Sequence, residues 1–164
     1  MATKLDTRIA DVRVTPIAFY DPPLLNNAGC HQPWALRSII EVETEGGVIG
    51  LGESYGSQDL VGGVERAADS LRGLDVTDIN GLFARVAASI EDTEIGYNTG
   101  AGSTVLRVGG AIEVAMWDAY GKSTNQRVCD LMGGQVRESV PFSAYLFYKF
   151  ANHQHEAGPD VWGE

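Results

Sequence analysis

The spacing of apolar and polar positions changes period along the chain. Between residues 8 and 19, Ile9, Val12, Val14 and Ile17 are apolar, with Arg13 and Thr15 between them, which predicts a strand of uneven pattern. Pro16 has no N–H to give to a ladder, so an edge position or a bulge is expected there. Asp21-Pro22-Pro23 predicts the end of that strand, and residues 22–34, which include "LLNNAGCHQP", read as a loop. Residues 35–45 alternate more cleanly, with Ile40 and Val42 on one side and Glu41, Glu43 and Glu45 on the other. Gly46-Gly47 predicts a two-residue hairpin turn with positive φ at both positions, and "VIGLGE" returns as the partner strand. Gly50 and Gly52 point to a bulge or to close approach of another backbone. The first 54 residues thus predict a three-stranded antiparallel meander.

The period then becomes helical. Ser57 is placed to cap a helix beginning near Gln58, with Leu60, Val61, Val64, Ala67, Ala68 and Leu71 as its apolar stripe and Gly73 at its end. A second helix starts near Thr77 or Asp78, with Ile79, Leu82, Phe83, Val86 and Ile90 at core spacing. Residues 91–103 carry three glycines and no period, so they read as a polar loop. A long helix follows over about 103–122, burying Val105, Val108, Ile112, Ala115, Met116 and Ala119. Gly109-Gly110 and the alanines keep that buried face small, so that another backbone can pack close. Residues 128–132 predict a short helix ended by Gly133-Gly134, and residues 138–149 a further strand. Strands first and helices next predict an α+β fold, a three-stranded antiparallel meander followed by a helical bundle, not a wound parallel sheet.

Composition narrows the function classes. The chain has 164 residues and a net charge of −10. A surface that neutralises phosphates must be basic, so nucleic acid is not expected as a partner, nor is anionic lipid. No apolar run approaches the length of a membrane span, and "MATKLDTRIADV" lacks the apolar core of a secretory leader, so a cytoplasmic location is expected. Cys30 and Cys129 form no metal-binding spacing and read as reduced thiols. The closing run "HQHEAGPDVWGE" ends without a capping pattern, and the chain is expected to be the front part of a longer polypeptide.

The candidate chemistry is concentrated in two polar loops and the late strand. His31, with Asn26 and Asn27 nearby, is either a solvated loop histidine or a ligand contact. Thr99 is a turn hydroxyl or a donor to a ligand. Tyr145 and Phe147 share strand parity and so one face. Glu113 and Asp118 stand about 140° apart around a helix, which makes them surface or structural charges and not an acid pair. His153 and His155 lack further ligands at zinc spacing, so a mobile polar loop is expected there instead of a metal site. The chain has no nucleophile elbow, phosphate loop, dinucleotide fingerprint or zinc-protease motif, and no spaced set of acids for magnesium.

Three stretches carry a resemblance. They are "ADVRVTPIAFYDPPLLNNAGCHQPWALRSIIEVETEGGVIGLGE", "GGAIEVAMWDAYGKSTNQRVCDLMGG" and "VPFSAYLFY". From about Arg8 to Tyr148 the chain resembles the N-terminal part of the enolase superfamily, nearest to the glucarate dehydratase branch of the mandelate racemase group. The resemblance implies a capping domain over residues 1–136 and, over 137–164, the lead into a (β/α) barrel absent from this sequence. It implies a magnesium-dependent acid-sugar dehydratase that removes the proton alpha to a carboxylate and eliminates water, with Mg2+ and the catalytic residues carried by the barrel. The cap would select the aldarate substrate through Asn26, His31, Thr99, Tyr145 and Phe147, contributing no catalytic group and no metal ligand. A homo-oligomer is also expected. Another racemase or dehydratase of the superfamily, or a stand-alone ligand-binding module without chemistry, are the alternative expectations.

Overall fold

The computed structural model describes residues 6–25, 31–90, 103–144, 150–151 and 161–162. Five strands and four helices are seen among them. Strands β1 (Ile9–Leu25), β2 (His31–Thr44) and β3 (Ile49–Tyr55) form a sheet in the order β1-β2-β3. Helices α1 (Gln58–Leu71), α2 (Ile79–Ser89), α3 (Thr104–Thr124) and the single turn α4 (Val128–Leu131) follow. The predicted α+β order, meander then helices, is what the chain folds.

Two compact units divide the chain. One contains residues 1–17 and 37–136, the other residues 18–36 and 137–164. In the first unit the core lies between one sheet face and the helices. Ile40 and Val42 of β2 are fully buried, with Val64 and Leu71 of α1, Leu82 and Val86 of α2, and Ile112 and Met116 of α3. Within each helix the two residues stand four or seven apart, so a single face of each helix turns inward. The opposite sheet face carries charge. Arg13 bridges Asp11 at 3.2 Å, Glu43 at 2.7 Å and Glu41 at 3.6 Å, and Arg37 bridges Glu53 at 3.2 Å while lying over the Tyr55 ring. These exposed pairs contribute little individually and mainly keep that face soluble.

Residues 6–8 anchor the chain start. Gly46 and Glu45 donate to the carbonyls of Asp6 and Arg8, and Val76 donates to that of Thr7. Arg8 hydrogen-bonds the Asp6 carboxylate and holds it down at about 2, well under the usual carboxylate range. The connection between α1 and α2 covers the start of the β1 edge, where Ile9 donates to Leu74 O and Gly73 to Ile9 O, both at 2.8 Å.

The helix ends follow their chemistry. Ser57 stands at the N-cap of α1 as expected, yet its side chain makes no capping hydrogen bond. The α2 cap is Asp78, whose carboxylate accepts from Gly81 N at 2.8 Å. Ser103 caps α3, and Asn125 closes it in the left-handed region at φ 54°. Among the described residues no helix is long and apolar enough to cross a membrane.

Several boundaries differ from the sequence reading. Asp21-Pro22-Pro23 does not end β1, which runs on to Leu25, and β2 begins at His31 instead of residue 35. Of the expected 22–34 loop, residues 22–25 and 31–34 are therefore strand, and residues 26–30 lie outside the described residues. The reason is position: β1 is an edge strand, and there a proline N can face away from the ladder. The β2–β3 turn holds three residues, not two. Thr44 O accepts from Gly47 N at 2.8 Å, Thr44 N donates to Val48 O at 2.9 Å, and of the two turn glycines Gly47 alone has positive φ, at 78°. The strand expected over 138–149 is not formed in 138–144, where Val140 and Phe142 are 63% and 93% exposed. Alternation without a partner strand leaves backbone groups to water, and no strand among the described residues pairs with this segment. A short antiparallel ladder instead joins β4 (Phe150–Ala151) to β5 (Val161–Trp162).

The glycine expectation for β3 holds. A Cβ on Gly50 would fall 2.0 Å from Ala115 O, and one on Gly52 would fall 2.8 Å from Ala111 O. The α3 backbone thus rests directly on β3, with Gly50 opposite Val42 and Gly52 opposite Ile40 in the sheet.

Candidate functional site

The ribbon of β1 and β2 presents the first of the sequence-selected polar segments. Asn26 follows the last residue of β1, and His31 is the first residue of β2. Asn26 and the other residues of 26–30 lie outside the described residues, and of His31 the backbone course alone is described. Thr99, Tyr145 and Phe147 also lie outside the described residues, as do Cys30, His153 and His155. What the structure does give is the platform formed by β1 and β2, the strands on either side of residues 26–30.

That platform contains an aromatic pair which the sequence reading passed over. Tyr20 on β1 and Trp34 on β2 meet edge to face, their ring centres 5.9 Å apart and their planes at 76°. This geometry puts the positive ring edge of one against the negative face of the other. It stiffens the ribbon three residues from His31. The signal was present as aromatics in both strands flanking the polar segment, but the pairing became visible only once the strands were known to continue past Pro23.

A second polar cluster ties α3 to the β3 edge. Asp118 accepts from Leu51 N at 2.8 Å and bridges the Lys122 ammonium at 2.6 Å. Lys122 in turn donates to Ile49 O at 2.9 Å. Two side chains one helical turn apart therefore satisfy an outward N–H and an outward C=O of an edge strand, where a fourth strand would otherwise pair. Glu113 accepts from the Trp117 indole at 3.1 Å. Both acids are structural, in keeping with the sequence reading. Changing Asp118 to Ala should cost about 1–1.5 kcal/mol, since a charged acceptor is lost at a partly exposed site. Urea unfolding measures that loss, and hydrogen exchange should show the Leu51 amide losing protection ahead of its neighbours.

An open depression of about 350 Å3 lies at the C-terminal end of α3, lined by Asp118, Lys122, Asn125 and Arg127 among others. Its cations are committed: Lys122 to Asp118, and Arg127 to Asp130 at 2.7 Å. The Asp130 partnership raises the Arg127 pKa, and Arg127 lowers that of Asp130. The depression is a polar turn, not a built binding site. Among the described residues no three His, Cys, Asp or Glu side chains gather closely enough to hold a metal ion. The described residues thus do not fit a magnesium ion, and no chemistry is assigned to one on them.

Comparison with known proteins places this platform. A "Probable glucarate dehydratase" of Streptomyces coelicolor is 41% identical over 96% of this chain and 39% of its own length. An enolase from Thermobispora bispora, solved with magnesium and formate, is 48% identical at a TM-score of 0.86, over 95% of this chain and 38% of that one. Another from Pseudomonas fluorescens, solved with magnesium, potassium and tartrate, is 42% identical at a TM-score of 0.82, again over 95% and 38%. The chain spans about two fifths of the length of these relatives. Residues 23–133 match the family described as "Mandelate racemase / muconate lactonizing enzyme, N-terminal domain". The meander, the helices packed on its glycines and these matches agree: the chain belongs to the mandelate racemase/muconate lactonizing enzyme family of the enolase superfamily, and the part seen is its N-terminal capping domain.

Proposed function

We propose that this chain is the substrate-selecting cap of a magnesium-dependent acid-sugar dehydratase of the glucarate type. The observation that carries the reading is the 41% identity to the Streptomyces coelicolor protein, which runs through nearly the whole chain. The tartrate bound to the Pseudomonas fluorescens relative supports it, because tartrate is a short hydroxylated diacid. The reaction removes the proton alpha to a carboxylate and expels the hydroxyl at the next carbon. The base, the acid and the metal ligands belong to a barrel beyond residues 1–136, with 137–164 leading into it. The magnesium held there supplies positive charge for the substrate carboxylate.

The chain's own residues bind and enclose. Asn26 and His31, with Thr99 and Tyr145, offer hydrogen bonds to hydroxyls or to the distal carboxylate, while Phe147 packs against the carbon chain. Closing these groups over the substrate excludes water from the reacting carbon. The complete polypeptide works in the cytoplasm as a homo-oligomer.

The complete polypeptide, mixed with D-glucarate and magnesium, should yield the dehydrated keto acid. Absence of product from glucarate, galactarate and idarate alike would defeat the reading. In the same assay His31→Ala should lower kcat/KM by about 10- to 150-fold, mostly through KM, the loss expected for one hydrogen bond to a charged group. Its magnesium affinity should stay unchanged, and a loss of magnesium binding would contradict the role given to His31.

A further inference from the structure

On the N-terminal side of Arg37 the sheet narrows, among the described residues, to two strands. The β2–β3 register runs from Glu43 opposite Ile49 to Arg37 opposite Tyr55, where β3 ends. Residues 31–36 of β2 keep β1 as their neighbouring strand. A two-stranded ribbon is marginal in water on its own. This one is also short of a ladder bond. Successive N–H groups along a regular strand point to opposite sides, and β1 is an edge strand with β2 along one side. Of the adjacent Pro22 and Pro23, one therefore sits where an N–H would face β2, and it has none to give.

The Tyr20–Trp34 contact stands in this stretch. Trp34 lies three residues before Arg37 and three after His31. An edge-to-face pair of this kind is worth about 2- to 12-fold in an equilibrium constant, much as one ladder hydrogen bond is. The rings thus restore through side chains what a proline removes from the backbone. We propose that Tyr20 and Trp34 are positioning residues for substrate binding: their contact holds the β2 backbone in one register at His31, so that the acid sugar meets a strand already formed. This role rests on the one proposed above for His31, and neither ring is assigned a contact with the substrate.

The effect has a kinetic signature. When a fraction of the molecules holds the binding-competent form, apparent affinity falls in proportion to that fraction, while saturating substrate gathers every molecule into it. Loss of the pair therefore falls on KM and spares kcat. Tyr20 and Trp34 also take part in further interactions within the chain, from which the ring contact has to be separated.

In the complete polypeptide, Tyr20→Leu and Trp34→Leu should each raise KM for D-glucarate by about 2- to 12-fold with kcat unchanged. The double variant should be no worse than either single one, because the contact is lost once. Tyr20→Phe keeps the ring and should match the parent. Hydrogen exchange reads the same event without substrate. The amides of residues 31–36 should exchange about 2- to 12-fold faster in the leucine variants, and those of residues 37–43, paired with β3, at the parent rate. Additive losses in KM overturn the proposal, as does a Tyr20→Phe chain as impaired as Tyr20→Leu. Faster exchange spread evenly along β2, or confined to residues 31–36 with KM unmoved, overturns it too. A parent that turns over no acid sugar defeats the proposed function alone. Local acceleration at residues 31–36 then upholds the positioning role, and unchanged exchange there overturns it.

Discussion

Gly50→Ala should unfold at least about 6–12 °C below the parent chain, a loss of about 3 kcal/mol at the upper end of overpacking costs. The added methyl has nowhere to go. It would lie 2.0 Å from Ala115 O, 2.5 Å from Ala119 N and 2.7 Å from Ala119 Cβ. Two of these three atoms are backbone, in the middle of a 21-residue helix, so no side-chain rotation relieves the contact. Either α3 retreats or β3 bends. Retreat of α3 also stretches the Leu51–Asp118 and Ile49–Lys122 bonds, which cross the same seam. Two stabilising features therefore fail together.

Gly52→Ala provides the gradient. Its methyl would meet Ala111 O at 2.8 Å and Ala115 N at 3.2 Å, an overlap that a shift of a few tenths of an ångström removes. Its loss should be about 1–2 kcal/mol, clearly below that at Gly50. Thermal and urea unfolding of the two variants give the comparison. A Gly50→Ala chain within about 0.5 kcal/mol of the parent would mean that the seam between α3 and β3 is soft, contrary to the close packing of a protein interior.

Close packing of this kind is legible in the sequence. Gly50 and Gly52 stand two apart in a strand, on the parity of the buried face, and that alone implies close approach. The helices were legible for a similar reason: Leu82, Val86, Ile112 and Met116 fall at spacings that only one period explains. The ribbon was not legible, because Pro22 and Pro23 signal a break unless the strand is known to lie at an edge, and edge position depends on sheet order. Val140 and Phe142 erred the other way, since alternation marks a strand only if something pairs with it. The bond from Leu51 to Asp118 spans 67 residues and leaves no local trace. For Asn26, His31, Thr99, Tyr145 and Phe147, local chemistry permitted a binding role, and resemblance to a family singled it out.

The adjacent glycines of α3 should respond with opposite sign. The sequence pattern marks both as clearing space for a neighbouring backbone, but their surroundings differ. A Cβ on Gly109 would fall 2.4 Å from Phe83 Cε1 and 2.6 Å from Cδ1, so the ring packed from α2 occupies that space. A Cβ on Gly110 meets nothing within 4 Å. Both sites are helical, where alanine is intrinsically better than glycine by about 1 kcal/mol. At position 110 that preference acts unopposed, and Gly110→Ala should stabilise the chain by about 0.5–1 kcal/mol. At position 109 the ring must leave its place against the core, and the net loss should be about 2 kcal/mol. The cause can be isolated with a double-mutant cycle. Phe83→Leu removes the obstructing ring atoms, so Gly109→Ala made in that background should cost about 1–2 kcal/mol less than in the parent. Equal costs in the two backgrounds would exclude the Phe83 ring as the obstacle. A destabilising Gly110→Ala would show instead that the face about Gly110 is already covered within the chain.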